Sequence, residues 1–456
     1  MTTTGLRRRV AYLAVACFAL AACSDSTGNS ESDDNTTVDS ATDNTEASTD
    51  DSTDEGSGSI EAAVEWVRAY TVSTAETATG EPLKIGFATS GDLFPEAVTA
   101  ADATVAFLNE NTGGANGRPV ELVHCNLATP EDGTSCGTQF ANDDTIVMVV
   151  VGQALFGAAD FYTAVAGKKP VFTSSPSGVD DFLSTVTVAY AAGALGASFG
   201  LADFAINDLA SKSIAVLITD DAAGRGGYGL IEPLLASKGA AVTPIFVAPT
   251  ATAPEVQAAL TAIDATTVET LIIGVFEQGC IAAYDALENL GVDSTVTNIL
   301  AVKPCIGPKV QEHLASLGED SVVPNGWYFN SFGYNPFVGD VESGVDALGA
   351  ILESQDAGEL RYTVAVDEIV SGIVTMVKHL IASGDDLSFA TLDAAIRGFT
   401  GPAMAIAGPQ ACGSAAVFKS VCASRVSIDR YLDGEWIAVH SGDDSIDISP
   451  YLAPAG

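Results

Sequence analysis

The chain has 456 residues and carries 59 Asp and Glu against 19 Lys and Arg, a formal charge of −40 at pH 7. That length suffices for two or three domains, and the acidic balance excludes nucleic acid as a partner, because phosphate binding needs a cationic face. The acidity does not identify a ligand, since it equally suits a surface adapted for solubility, including solubility in salt.

The N-terminus, "MTTTGLRRRVAYLAVACFALAAC", has three arginines and then an apolar run over residues 10–20. The run is too short to span a bilayer and reads as a signal peptide over residues 1–22. Leu20-Ala21-Ala22-Cys23 resembles a bacterial lipobox, which implies cleavage before Cys23 and its lipidation. Arg7-Arg8-Arg9 fits either twin-arginine export or an ordinary basic leader. Residues 24–59 hold 11 acidic residues and no Lys or Arg. Such a segment cannot bury enough apolar surface to fold; as a flexible tether it reaches roughly 30–35 Å root-mean-square. Residues 23–59 are thus expected to be a lipid anchor and a disordered acidic linker, holding an exported body at the outer face of the cytoplasmic membrane. The body keeps 48 acidic against 16 basic residues.

Residues 60–70 have the pattern of a short helix ahead of the first domain. "LKIGFAT" (83–89) reads as a buried strand, and residues 95–109 have helical spacing, with Ala97, Ala101, Val105 and Leu108 on one side. A turn, "GGANGRP", leads to the strand "VELVHC", a helix near 135–142, the strand "IVMVVVG", a helix near 158–166 and the strand "PVFTS". The alternation restarts after Tyr190: a helix over 191–209, "IAVLITD", a helix over 229–238, "TPIFVAP", a helix over 254–263, "TLIIGVF", a helix over 280–290 and "TNILAV". Continuous apolar strands alternating with helices imply parallel sheets covered on both faces. Two such series predict an α/β protein of two doubly wound lobes. Helices follow near 337–354, 365–383 and 389–397, and "SRVSIDRYLDGEWIAVH" reads as a hairpin turning at Asp433-Gly434.

Six cysteines remain after Cys17 and Cys23, an even number for an exported protein. They allow 15 pairings; sequence proximity favours Cys125–Cys136, Cys280–Cys305 and Cys412–Cys422. There is no C-x-x-C, and the histidines are scattered, so no metal site is expected. "GRGGYG" (224–229) fits a dinucleotide fingerprint, but the acidic residue required about 20 positions on is missing from "TPIFVAPTAT". It reads instead as a Gly-rich loop at a strand end, and no cofactor is expected. "GASFG" (196–200) fits a nucleophile elbow but lies within an apolar helical stretch, where small residues serve close packing. With no supported nucleophile, metal cluster or acid/base pair, no enzyme is expected. "FTSSPSG" (172–178) places three serines directly after a strand, where hydroxyls and free N–H groups serve a polar ligand or cap a turn.

The ordered set "LKIGFATSGD", "AFLNENTGGANGRPVELVHCN", "IVMVVVG", "PVFTSSPSG", "IAVLITDD…YG" and "TLIIGVFEQGCIAAYDALENLG" resembles the branched-chain amino-acid-type substrate-binding proteins of ABC importers. The resemblance spans roughly residues 83–340. It implies a type I periplasmic-binding fold: two lobes joined by three crossovers, near 186–190, 326–331 and 400–405, with ligand captured between them. Lobe 1 is expected over 83–187 with 331–402, lobe 2 over 188–330 with 403–456, and residues 60–82 as a helical extension. By motif, the first-lobe contacts fall on Ser90 to Phe94, on Ala154, Leu155 and Phe156, and on Ser175 and Ser177; the second-lobe contacts fall on Tyr228 and Phe276. Two departures stand out. Where the amino-acid binders carry an acidic partner for the ligand ammonium, this chain has Lys303-Pro304-Cys305, and the serine after "VVVG" is replaced by Gln153-Ala154-Leu155-Phe156. A buried ammonium without a counter-charge costs several kcal/mol. Glu277 is a candidate substitute; Lys303, facing the cleft, favours a carboxylate, and otherwise is a surface lysine. The implied function is a monomeric lipid-anchored receptor that binds a small organic solute (amino acid, amide or carboxylate) and delivers it to ABC permease subunits. The alternative is a ligand-sensing subunit of a membrane signalling system.

Overall fold

A computed structural model describes residues 59–453 apart from residues 266, 293, 296, 319–322, 332, 333, 336, 339–343 and 364. The signal peptide, Cys23 and the acidic linker lie outside the described residues. Helix α1 (Ile60–Thr71) comes first, followed by β1 (Leu83–Thr89), α2 (Pro95–Asn111), β2 (Val120–Asn126), α3 (Pro130–Asn142), β3 (Ile146–Val151), α4 (Ala158–Val165), β4 (Val171–Thr173), α5 (Val179–Leu183) and β5 (Thr187–Ala189). The five strands form one parallel sheet in the order β2-β1-β3-β4-β5.

The chain then crosses into a second unit: α6 (Gly193–Asp203), β6 (Ser213–Thr219), α7 (Ala222–Ser237), β7 (Ala241–Val247), α8 (Ala253–Ala262), β8 (Thr270–Gly274), α9 (Glu277–Leu290), β9 (Asn298–Ala301), α10 (Pro308–Leu317) and β10 (Tyr328–Ser331). It returns with α11 (Val345–Glu353), α12 (Val366–Ser383) and α13 (Phe389–Arg397), which join the first lobe, and crosses a third time into β11 (Arg425–Leu432), β12 (Glu435–His440) and β13 (Ile446–Asp447). The second sheet runs β12-β11-β10-β9-β8-β6-β7, with β13 paired to β11. Val188 and Ala189 pair within the first sheet and Ser331 within the second, so each of these crossovers starts after the strand rather than within it.

Alternate residues of one strand enter opposite cores, as a sheet covered on both faces requires. In β3, Met148 and Val150 face one apolar cluster while Val149 and Val151 face another; in β6, Ile214 and Val216 separate in the same way from Ala215 and Leu217. Helices start where side chains satisfy their free N–H groups. Thr129 and Asp132 box the start of α3, and Thr252 and Glu255 box that of α8. The Asp433-Gly434 turn joins β11 to β12 with positive φ at both residues (54° and 87°), the geometry of a type I′ hairpin.

"GASFG" lies in α6, where a Cβ on Gly200 would stand 2.9 Å from Val426 of β11; Ser198 Oγ donates to Ala194 O within the helix. "GRGGYG" is not a loop: it forms the first turns of α7, with Asp221 accepting from Gly224 N. A Cβ on Gly224 would stand 2.1 Å from Thr219 O, so glycine there allows helix and strand end to touch. The disulfides are Cys125–Cys136, Cys280–Cys305 and Cys412–Cys422. The extension helix α1 buries Ala63 and Val67 against the first lobe, and Tyr70 Oη lies 2.9 Å from Thr375 Oγ1 of α12. No helix among the described residues is long and apolar enough to cross a membrane.

Candidate ligand-binding site

Parallel strands deliver the residues that follow them to a common edge, where open α/β sheets bind ligands. In the first lobe Ser90 is fully buried at that edge. Its N–H donates to Gln153 O (2.8 Å), its Oγ donates to Leu127 O (2.8 Å), and Leu155 N donates back to Oγ (3.1 Å). Ser90 thus ties together the loops after β1, β2 and β3. Ala154 is buried behind them, while Leu93, Leu155 and Phe156 stay exposed (53%, 38% and 38%) and Phe94 is half-buried as the N-cap of α2.

The loop after β4 is shaped by a carboxylate that its serines conceal in the sequence. Asp181 is buried; its Oδ2 accepts from Ser177 N (2.9 Å) and Gly178 N (3.0 Å), and its Oδ1 from the Tyr162 hydroxyl (2.6 Å). Burial raises the Asp181 carboxyl above the usual range, with these three donors acting in the opposite direction. Ser177 Oγ itself is buried without a hydrogen-bond partner among the described residues. The loop meets the second lobe at Gly193, where a Cβ would stand 1.9 Å from Pro176 O, so only glycine admits this approach.

In the second lobe Tyr228 packs edge-on to Phe246 (5.7 Å between centroids), with Arg225 over the other ring at 4.4 Å. Arg225 is itself paired with Asp220 at 2.5 Å. Partial burial, then the charge of Glu232, pushes the Tyr228 hydroxyl up. Phe276 caps α9 and is 48% exposed. Glu277 beside it accepts from Lys309 N (3.2 Å) and pairs with Lys309 Nζ (3.7 Å), so it closes the start of α10 rather than offering a free charge. Across from it stands Glu96, in the first turn of α2. Burial raises its carboxyl most; Glu277 raises it further and Lys309 opposes. The charges of Glu277 and Lys309, at the starts of α9 and α10, are thus felt at the start of α2.

Lys303 is neither a surface lysine nor a free cleft cation. It is wholly buried in the turn after β9, with Nζ 2.5 Å from Asp367 Oδ1 of α12. The contact is off the line of a well-directed hydrogen bond, but at that distance opposite charges attract strongly in a buried setting. The neighbouring Glu368 Oε2 accepts from Ser175 Oγ at 2.5 Å. Burial, followed by the charge of Asp367, pushes the Glu368 carboxyl up to about 8, against the pull of Ser175 and Lys303. Ser175 is thus engaged by α12. Among the predicted contacts, the side chains of Leu155, Phe156, Phe276, Tyr228 and Ser177 have no hydrogen-bond partner among the described residues, while Ser90, Ala154, Ser175, Glu277 and Lys303 are buried or paired. Asp367, Glu368, Asp181 and Glu96 escaped notice in the sequence. Two adjacent acids opening an otherwise apolar helix, "VDEIV", were the available signal for the first two.

No group of three or more His, Cys, Asp or Glu among the described residues could hold a metal ion. A sequence profile described as periplasmic binding protein matches residues 86–330. No curated protein matches the chain. Solved structures do: a leucine binding protein from Thermotoga maritima (12% identity, TM-score 0.60, covering 79% of this chain and 99% of that one); an ABC transporter substrate-binding protein from Desulfitobacterium hafniense in complex with Leu (15%, 0.59, 79% and 100%); and an R. palustris solute binding protein in complex with 4-hydroxybenzoate (15%, 0.61, 81% and 98%). At these identities the structural likeness speaks for the fold alone, and it agrees with a profile covering more than half of the sequence: the chain belongs to the periplasmic binding protein family, with the two-lobed type I fold.

Proposed function

We propose that the protein is a lipid-anchored extracytoplasmic receptor that closes on a small organic solute (an amino acid, amide or carboxylate) and hands it to an ABC permease. One observation carries the reading. Large apolar side chains lie exposed after parallel strands of both lobes, Leu93, Leu155 and Phe156 on one and Phe276 on the other, and the Ser177 Oγ after β4 is buried without a partner among the described residues. Exposed apolar side chains gathered in a cleft with a few polar groups are what a small-molecule site needs. The nearby charges are matched internally, Arg225 with Asp220 and Glu277 with Lys309, so an apolar solute with a hydrogen-bonding end fits better than one with a free ammonium. Of the ligands seen in two structural neighbours, 4-hydroxybenzoate, an apolar ring with a carboxylate and no ammonium, matches this chemistry, whereas leucine shares the apolar body and carboxylate but adds the ammonium.

A thermal-shift screen of amino acids, amides, aromatic acids and short carboxylates tests the reading, since a ligand at 100 times its Kd adds about 2.7 kcal/mol of stability. Calorimetry on Ser177→Ala then locates the site. Losing a buried hydrogen bond weakens binding by roughly 5- to 150-fold. Unchanged affinity, or no ligand in the screen, overturns it.

A further inference from the structure

Lys303 and Asp367 are 64 positions apart and belong to different lobes. Lys303 follows β9 in the second sheet; Asp367 opens α12, which packs on the first lobe through Gly372 against Phe172 and Ser174. Their side chains are 0% and 3% exposed. Taking two charges out of water is unfavourable unless they compensate one another, so these two are stable in place only while the lobes hold them together. The first turn of α12 favours the acid, because the helix N-terminus carries partial positive charge. The adjacent Glu368 bonds Ser175, so the contact continues from the second lobe, through α12, into the loop that carries Ser177.

We propose that Lys303 and Asp367 are positioning residues, forming an ionic tie between the lobes that exists without ligand and holds the Ser175–Ser177 loop in register with the second lobe. The tie sets the ligand-free spacing of the cleft, and through it the affinity, from outside the ligand's own contacts; this second consequence rests on the receptor reading given above. The two lobes are otherwise joined by three chain crossovers and the packing around them, so removing a desolvated ion pair between the lobes widens the range of openings they sample. A lysine in this place acts on ligand affinity without touching ligand.

The test is a distance measurement on the ligand-free protein. Spin labels at Ala159→Cys in α4 and Ala262→Cys in α8, both exposed, report lobe separation by double electron–electron resonance; the six body cysteines are paired in disulfides and stay unlabelled. Lys303→Met is expected to shift the distribution outward by several ångströms and broaden it, and Lys303→Arg to preserve it. If Lys303→Met fails to fold, Lys303→Met with Asp367→Leu, which leaves no orphaned charge, carries the test and is expected to show the same broadening. A solute found in the screen is expected to bind Lys303→Met at least about tenfold more weakly. Wild-type distances in the folded single or double variant overturn the tie. Shifted distances with no ligand in any screen leave the tie standing and remove the receptor reading.

Discussion

The Glu368 carboxyl offers a sharp test of the buried junction, through Glu368→Gln. Its folded-state value is about 8 against an ordinary 4.5, so between these limits the folded protein holds a proton that the unfolded chain has released. Stability then falls as pH rises, because the slope follows the protons bound by the unfolded minus the folded state. The contribution is fully present below about 4.5 and is lost as pH climbs to about 8. At roughly 1.4 kcal/mol per pH unit, the loss is about 3 kcal/mol by pH 7 and about 5 kcal/mol by pH 9. Glutamine mimics the protonated acid and keeps an oxygen for Ser175, so the variant should match wild type within about 1 kcal/mol at pH 5 and exceed it by several kcal/mol at pH 9. Urea unfolding followed by tryptophan fluorescence at pH 5, 6, 7, 8 and 9 measures the gap. Asp429, raised by burial to about 7, has the same sign, and His379, lowered by burial to about 4, destabilises the fold on the acid side. Both are common to the two proteins and cancel in the difference. A gap that does not grow with pH refutes the assignment of an uncharged Glu368 beside Asp367.

Phe276→Ala should weaken binding of a screened solute by roughly tenfold through lost apolar contact, with an unchanged melting temperature because the ring is 48% exposed; calorimetry and a thermal melt check both halves. Replacing Cys280 and Cys305 by alanine should lower stability by roughly 3–4 kcal/mol, from the 25-residue separation they close, measured by denaturant unfolding of the exported protein. Cys23→Ala should release the protein from the membrane or block its processing, since two acyl chains hold a protein stably where one does not; fractionation and mass spectrometry of the N-terminus decide, and normal processing with membrane retention contradicts it.

Much of the architecture was legible in the sequence because local rules suffice for it. Buried parallel strands read as unbroken apolar runs, so β1, β3, β6 and β8 were visible, and α13 was placed at 389–397 by its periodicity. Near cysteines pair within reach of one another, and Asp433-Gly434 announces its turn without help from the rest of the chain. Other features depend on what a segment touches. The glycines of 224–229 looked like a loop because glycine is a poor helix former; Asp221 and the close approach to Thr219 make them the start of α7. Ser90, Ser175 and Ser177 are alike in sequence, yet one ties three loops, one bonds Glu368 and one is left without a partner. No local pattern distinguishes the first two, because the deciding atoms come from residues 37 and 193 positions away. Lys303 makes the point most directly. Composition can say that a lysine is rarely buried; only the return of α12 to the first lobe supplies the carboxylate that makes its burial possible.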